Sequence, residues 1–161
     1  FLSRMKFLVI DNGRGQPQRW LATSQGVRRI AESDVQERVF DSDFTAQDLS
    51  YFEVSDGAVT ELPNSEPDRR KVRVDASPSA GENRIITVDV STGLVVEVEY
   101  RIDARSVRRY SVLRTQVVDG RTYPAECRMR DLVAGTRTDL VLESIDANAN
   151  IPPRVFSRGS L

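Results

Sequence analysis

Histidine is absent from this chain of 161 residues, and the gap removes most familiar catalytic constellations. Ser-His-Asp and Cys-His nucleophile pairs, histidine-ligated zinc and an imidazole general base all need it. What remains for chemistry is carboxylate, tyrosine, one thiol and two lysines, Lys6 and Lys71. The carboxylates with the most suggestive spacing are Asp41 and Asp43. A calcium loop would add a glycine turn and further oxygen donors at fixed spacing, and neither is present. The pair therefore reads as turn or capping residues, and no metal is expected. Cys127, the single cysteine, excludes an internal disulfide and reads as a small buried apolar residue. An enzyme working through a carboxylate such as Asp43 has no convergent site, so the chain reads as non-catalytic and without a cofactor.

The charges point away from nucleic acid. The formal net charge is −1, and Asp and Glu are interleaved with arginine through most of the sequence. A nucleic-acid face would gather a basic excess instead. No apolar run approaches the ~20 residues that span a bilayer. Neither is there a basic segment followed by a signal-like apolar one. Phe1 in place of an initiator Met suggests a processed or trimmed form of something longer. The length suits one domain, residues 1–161. Three arginine doublets (Arg28-Arg29, Arg69-Arg70, Arg108-Arg109) fall on strands or at strand starts. Alternation sends their members to opposite faces, where they pair with nearby acids or hold an anionic head group.

The elements that must position such groups are organised around Val39 to Phe52. Thr45 with Asp48 three residues later resembles a capping box and predicts a helical turn over Thr45–Ser50. Phe40, Phe44, Leu49 and Phe52 supply its apolar anchors. Before it come short strands at Met5–Asp11, Gln18–Ala22 and Gly26–Ala31, with a turn cluster at Asn12–Gly15 and a hairpin across Thr23-Ser24-Gln25. After it, Asp56-Gly57 marks a turn and Leu62–Asp68 a loop. Strands are then expected at Arg69–Ala76, Arg84–Val90, Leu94–Ile102, Val107–Val118, Arg121–Asp131 and Thr136–Ile145. The connections are a Ser77–Asn83 loop and turns at Ser91-Thr92-Gly93, Asp103-Ala104-Arg105, Asp119-Gly120 and Gly135. The tail from Asn150 reads as an extended segment with a helical turn, docking Phe156 and Leu161.

The result is an antiparallel meander, mainly β, with almost no helix to cover its apolar face. Such a sheet must bury Val, Ile, Leu and aromatics on one side. A second sheet or a curved, partly closed barrel with a short helical lid achieves this; with one helical signal in the chain the curved barrel is expected, and it can enclose an apolar cavity. Candidate cavity residues are Trp20, Phe40, Phe44, Leu49, Phe52, Val96, Val98 and Tyr100. For Trp20 a plain core role is the competing reading. Candidate head-group residues are Arg29 and Arg109.

Ordered motifs over essentially the whole chain resemble a known family. VRRI (Val27–Ile30) followed by FDSDFTAQDL (Phe40–Leu49) is similar to its "RRI … F-G-S-D-F-(S/T)-x-x-D-L" signature. VDGRTYP (Val118–Pro124) resembles its "I-D-G-x-x-x-P" turn. Thr136–Leu161 resembles its closing strand and "N-x-x-(I/L)-P-x-x-x-F-x-x-x-x-L" end. The family is the LolA-like group of outer-membrane lipoprotein-sorting proteins. Two departures stand out: Asp41 replaces a glycine, and Ala22 an aromatic. The resemblance implies a LolA/LolB-like incomplete barrel, present here as its C-terminal two-thirds with the N-terminal part missing. It further implies a periplasmic, non-enzymatic carrier of lipid or lipoprotein acyl chains, its signal peptide removed. An inner-membrane transporter would be a partner, and membrane contact transient. The alternative is an accessory module docking on such a transporter without lipid cargo.

Overall fold

The computed structural model describes residues 6–10, 18–34, 36–49, 59–77, 82–150, 152–156 and 159. Phe52, the Asn12–Gly15 and Asp56-Gly57 turns, the Pro78–Gly81 part of its loop and the docking of Phe156 and Leu161 lie outside that description. The chain divides into two compact units, Phe1–Phe52 with Asn148–Leu161, and Glu53–Ala147.

In the first unit β1 (Lys6–Ile10), β2 (Gln18–Thr23) and β3 (Gly26–Ile30) form an antiparallel sheet in chain order. The expected β2–β3 hairpin turns over Ser24 and Gln25, where Thr23 Oγ1 accepts the Gln25 N–H at 3.1 Å. Gly26 follows at φ 129°, a conformation other residues rarely adopt. A short 3₁₀ turn at Glu32–Asp34 then leads to α1 (Ala46–Leu49), inside the expected Thr45–Ser50. Leu21, Ile30, Val39 and Ala46 form a buried cluster, with Phe7, Phe40 and Leu49 packed against it. Another 3₁₀ turn at Pro153–Phe156 is the helical turn expected of the tail.

The second unit is the meander. Strands β4 (Val59–Leu62), β5 (Arg69–Ser77), β6 (Glu82–Asp89), β7 (Val95–Ile102), β8 (Arg105–Val118), β9 (Arg121–Asp131) and β10 (Thr136–Val141) are ordered consecutively in one antiparallel sheet. The sheet is open and not closed into a barrel, with β4 and β10 at its edges. β4 has no counterpart among the expected strands because four residues give too short a pattern to read. β10 stops at Val141, four residues before the expected Ile145.

Pairing assigns the two faces. Val72, Ile86, Val98, Tyr110 and Met129 sit opposite one another on successive strands, so their side chains share a face. Val98 and Met129 are completely buried. One residue along, Arg73, Ile85, Glu99, Arg109, Arg130 and Arg137 form the matching row on the other face. This is the apolar-in, polar-out alternation expected of a half-solvated antiparallel sheet. The two-residue turns Asp103-Ala104 and Asp119-Gly120 keep the register, both residues of each having positive φ as a twisted hairpin requires.

Candidate functional site

The segment ahead of α1 is built by backbone and cap hydrogen bonds. Val39 N–H donates to the Phe44 carbonyl at 2.9 Å, and Ser42 N–H to the Val39 carbonyl at 3.1 Å. The tight turn closed by the second bond puts Phe40 and Asp41 at φ 59° and 51°. Both sit where a Cβ clashes with the backbone, so the aspartate standing where glycine is expected carries a conformational cost. The capping box is present in full. Thr45 N–H donates to Asp48 Oδ2 at 2.7 Å, and Asp48 N–H donates back to Thr45 Oγ1 at 3.2 Å. Asp43 is buried and pairs with Arg38 at 3.2 Å. Among the described residues no cluster of three or more His, Cys, Asp or Glu could hold a metal.

Phe44 is buried, while Phe40 and Leu49 pack on the Leu21–Ile30–Val39–Ala46 cluster. Trp20 is half-buried on β2, opposite Leu8 on one side and Arg29 on the other. Arg29 is exposed, and its neighbour Arg28 meets Glu37 at 4.0 Å. An open cleft of about 630 Å³ lies in this unit. Its apolar wall is Leu21, Val27, Val39 and Phe40, and its charged rim Arg28, Arg38 and Asp41. That volume falls within the ~300–1,000 Å³ of small-molecule sites. Of the candidate cavity residues that the structure describes, only Phe40 lines it. Val27 was legible as a strand residue and Arg38 fell in no expected element, because their meeting depends on how the hairpin and the Val39 turn pack.

On the seven-stranded sheet Val98 is fully buried, and Tyr100 two residues on shares its face. Tyr100 is flanked across both neighbouring strands by Arg84 and Arg108, whose guanidinium carbons lie 5.5 and 5.0 Å from the ring centre. Both distances are within cation–π range. Arg109 points the other way and pairs with Glu99 at 3.5 Å. Glu99 also accepts from Arg101 at 2.6 Å and from the Ser106 hydroxyl. Burial would raise its carboxyl, but the bonds from Ser106 and Arg101 with the charges of Arg101 and Arg109 hold it below the usual range. The doublet splits as alternation requires, and Arg108 rather than Arg109 is the arginine beside Tyr100. Val96 is the unpaired residue at the β6–β7 irregularity between Thr87 and Val88. It lines a smaller groove of about 230 Å³ with Leu94, Val112 and Leu113, rimmed by Arg69 and Arg114. Deeper in this unit the Tyr110 hydroxyl donates to Cys127 Sγ at 3.0 Å. Burial first, then that contact, pushes the phenol far above its ordinary value, while burial likewise raises the thiol. Neither is a poised nucleophile.

Residues 3–161 match a family model whose description reads "Uncharacterized protein". The chain belongs to that family, and its fold is LolA-like. No curated protein sequence matches it. Three solved structures do. A domain from Vibrio parahaemolyticus assigned as an outer membrane lipoprotein-sorting protein superposes with a TM-score of 0.82 at 17% identity. That match covers 96% of this chain and 69% of the other. A DUF1329 family protein from Desulfovibrio piger gives 0.81 at 17% identity, over 98% and 70% of the two chains. A LolA superfamily protein from Nitrosomonas europaea gives 0.54 at 13%, over 99% and 90%. The motif resemblance and the architecture therefore agree.

Proposed function

We propose that this protein is a non-catalytic periplasmic carrier that shields the acyl chains of a lipid or lipoprotein on the way to the outer membrane. The observation that carries the reading is the LolA-like fold spanning nearly the whole chain. The cleft around Leu21, Val27, Val39 and Phe40 adds an apolar lining with arginines at its rim, suited to a chain with an anionic head. Among the described residues no helix is long and apolar enough to cross a membrane. Burying a ~16-carbon chain at roughly 0.8 kcal/mol per CH₂ is worth on the order of 10 kcal/mol before ordering costs. That leaves affinity enough for capture and release.

Native mass spectrometry of the purified protein should show an added lipid mass, and the protein should take up a fluorescent fatty acid. Substituting Phe40→Arg should weaken that uptake. A protein that carries no lipid and takes up none in either assay would end the carrier reading. A second reading, an accessory module docking on a membrane transporter without cargo, draws support from the burial of Phe44 and Val98. Side chains already covered by the protein's own packing have no surface left for an acyl chain. Transporter capture by protein that stays lipid-free would favour it.

A further inference from the structure

One end of the seven-stranded sheet combines exposed apolar side chains with exposed arginines. The β7–β8 and β9–β10 turns lie at this end as neighbours, because β8 pairs with β9 along its length. Leu132 N–H donates to the Val107 carbonyl at 2.8 Å and ties the second turn to the base of the first. Ile102, Leu132 and Val133 are 42%, 42% and 65% exposed there. Around them Arg105, Arg130 and Arg137 are exposed and form no ion pair among the described residues. Arg130 and Arg137 are directly opposite on β9 and β10, an arrangement that repels in isolation. Asp131 is turned into its own loop, accepting the Val133 and Ala134 N–H groups at 2.8 and 2.7 Å. Asp103 and Glu82 are further acids at this end, and Asp139, bonded to Arg128, also feels the charges of Arg130 and Arg137.

We infer that this end docks on an anionic lipid bilayer, Leu132 and Val133 entering the headgroup layer and the arginines meeting lipid phosphates. An apolar tip rimmed by long cationic side chains is the chemistry of interfacial binding, since arginine keeps its charge at the phosphates while its stem lies along the apolar layer. The far end of the same sheet supplies the contrast. Val90 and Val117 are exposed there as well, but Asp68, Asp89 and Asp119 stand among Arg69, Arg70 and Arg121, with Arg69 paired to Asp89, so that end offers an anionic surface no comparable cationic excess. Charge, and not apolar exposure alone, selects the docking end. This holds whether or not the protein carries a lipid.

Sedimentation with phosphatidylglycerol–phosphatidylcholine vesicles, against phosphatidylcholine alone, tests it on the full chain. Protein in the pellet reads docking, and lipid left in the supernatant reads extraction, so failure here is distinguishable from failure of the carrier reading. Binding should be selective for the anionic vesicles and weaken as salt rises. The double variant R130Q/R137Q should bind roughly 25-fold more weakly, about five-fold per arginine. The variant L132S/V133S should lose about ten-fold, and V117S at the opposite end should bind as the parent does. Circular dichroism establishes that each variant is folded. Equal binding to both vesicle types, unchanged binding by folded R130Q/R137Q, or an equal loss in V117S would each overturn the assignment.

Discussion

Asp89 shows how a single side chain couples a turn to the sheet. Its Oδ1 accepts the Ser91 and Thr92 N–H groups, both at 3.0 Å, and both hydroxyls at 2.6 and 3.1 Å. Its Oδ2 meets Arg69 at 2.5 Å. The Ser91 hydroxyl bond above all, then the Thr92 bonds and the Arg69 charge, outweigh burial and bring the carboxyl from 3.8 down to about 2. Because the folded value lies below the unfolded one, its contribution to stability is complete above about pH 4 and is lost as pH falls through about 2. Urea midpoints measured across that range should show Asp89→Asn differing from the parent at neutral pH and converging with it in acid. A pH-independent difference would contradict the assignment. Ala104 gives a second residue-scale test. It occupies φ 66° in the same kind of turn where Gly120 sits at 76°. Ala104→Gly should stabilise the protein by about 0.5–1 kcal/mol, and Gly120→Ala should cost at least as much, both read from chemical denaturation. The turn at Ser91-Thr92-Gly93 was legible from residue types alone. The Arg69 contact was not, because it joins residues twenty positions apart through the β5–β6 pairing.

At the scale of elements, α1 is far below the length at which a helix holds itself together in water. It persists through the Thr45–Asp48 box and through Ala46, which is completely buried in its unit's core. Thr45→Ala should therefore cost about 1 kcal/mol, with an upper bound near 2. Equilibrium urea unfolding measures it, and Thr45→Ser should restore most of the loss. The same measurement on Thr45→Ser separates the cap from the packing of the threonine methyl. This element was readable in advance because a capping box is a four-residue signal. Its apolar neighbours were readable only as apolar. That Phe40 lines a cleft while Phe44 is buried follows from the turn over Phe40 and Asp41, whose positive φ values redirect the chain.

Across the whole molecule, the row through Val98 and Met129 is the spine of the larger unit. Met129 touches no solvent, so Met129→Ala leaves a cavity that a seven-stranded sheet fills only in part. A loss of about 2–5 kcal/mol is expected, seen as a lower thermal midpoint. Arg130→Ala, one residue away on the solvated face, should change it little. The face opposite carries a pairing network in which Arg128 grips Asp139 through two bonds of 2.6 and 2.9 Å. Such exposed pairs contribute little stability each. Their larger effect is to keep the sheet's outer face polar, so that one face alone is available for burial.

The sequence by itself determined the antiparallel meander, its hairpin turns, the helical cap and the absence of histidine chemistry. These are local properties: strand alternation repeats every two residues, and turns and caps need only a few adjacent side chains. Tertiary structure alone decided that the strands form two separate sheets. It also decided that Arg108 accompanies Tyr100, and that Phe40 and Val96 line different grooves. Those outcomes rest on long-range register, which shifts at Thr87/Val88, Tyr100/Arg101 and Val112/Arg114. A bulge of one residue changes what faces a groove while leaving the local pattern almost untouched.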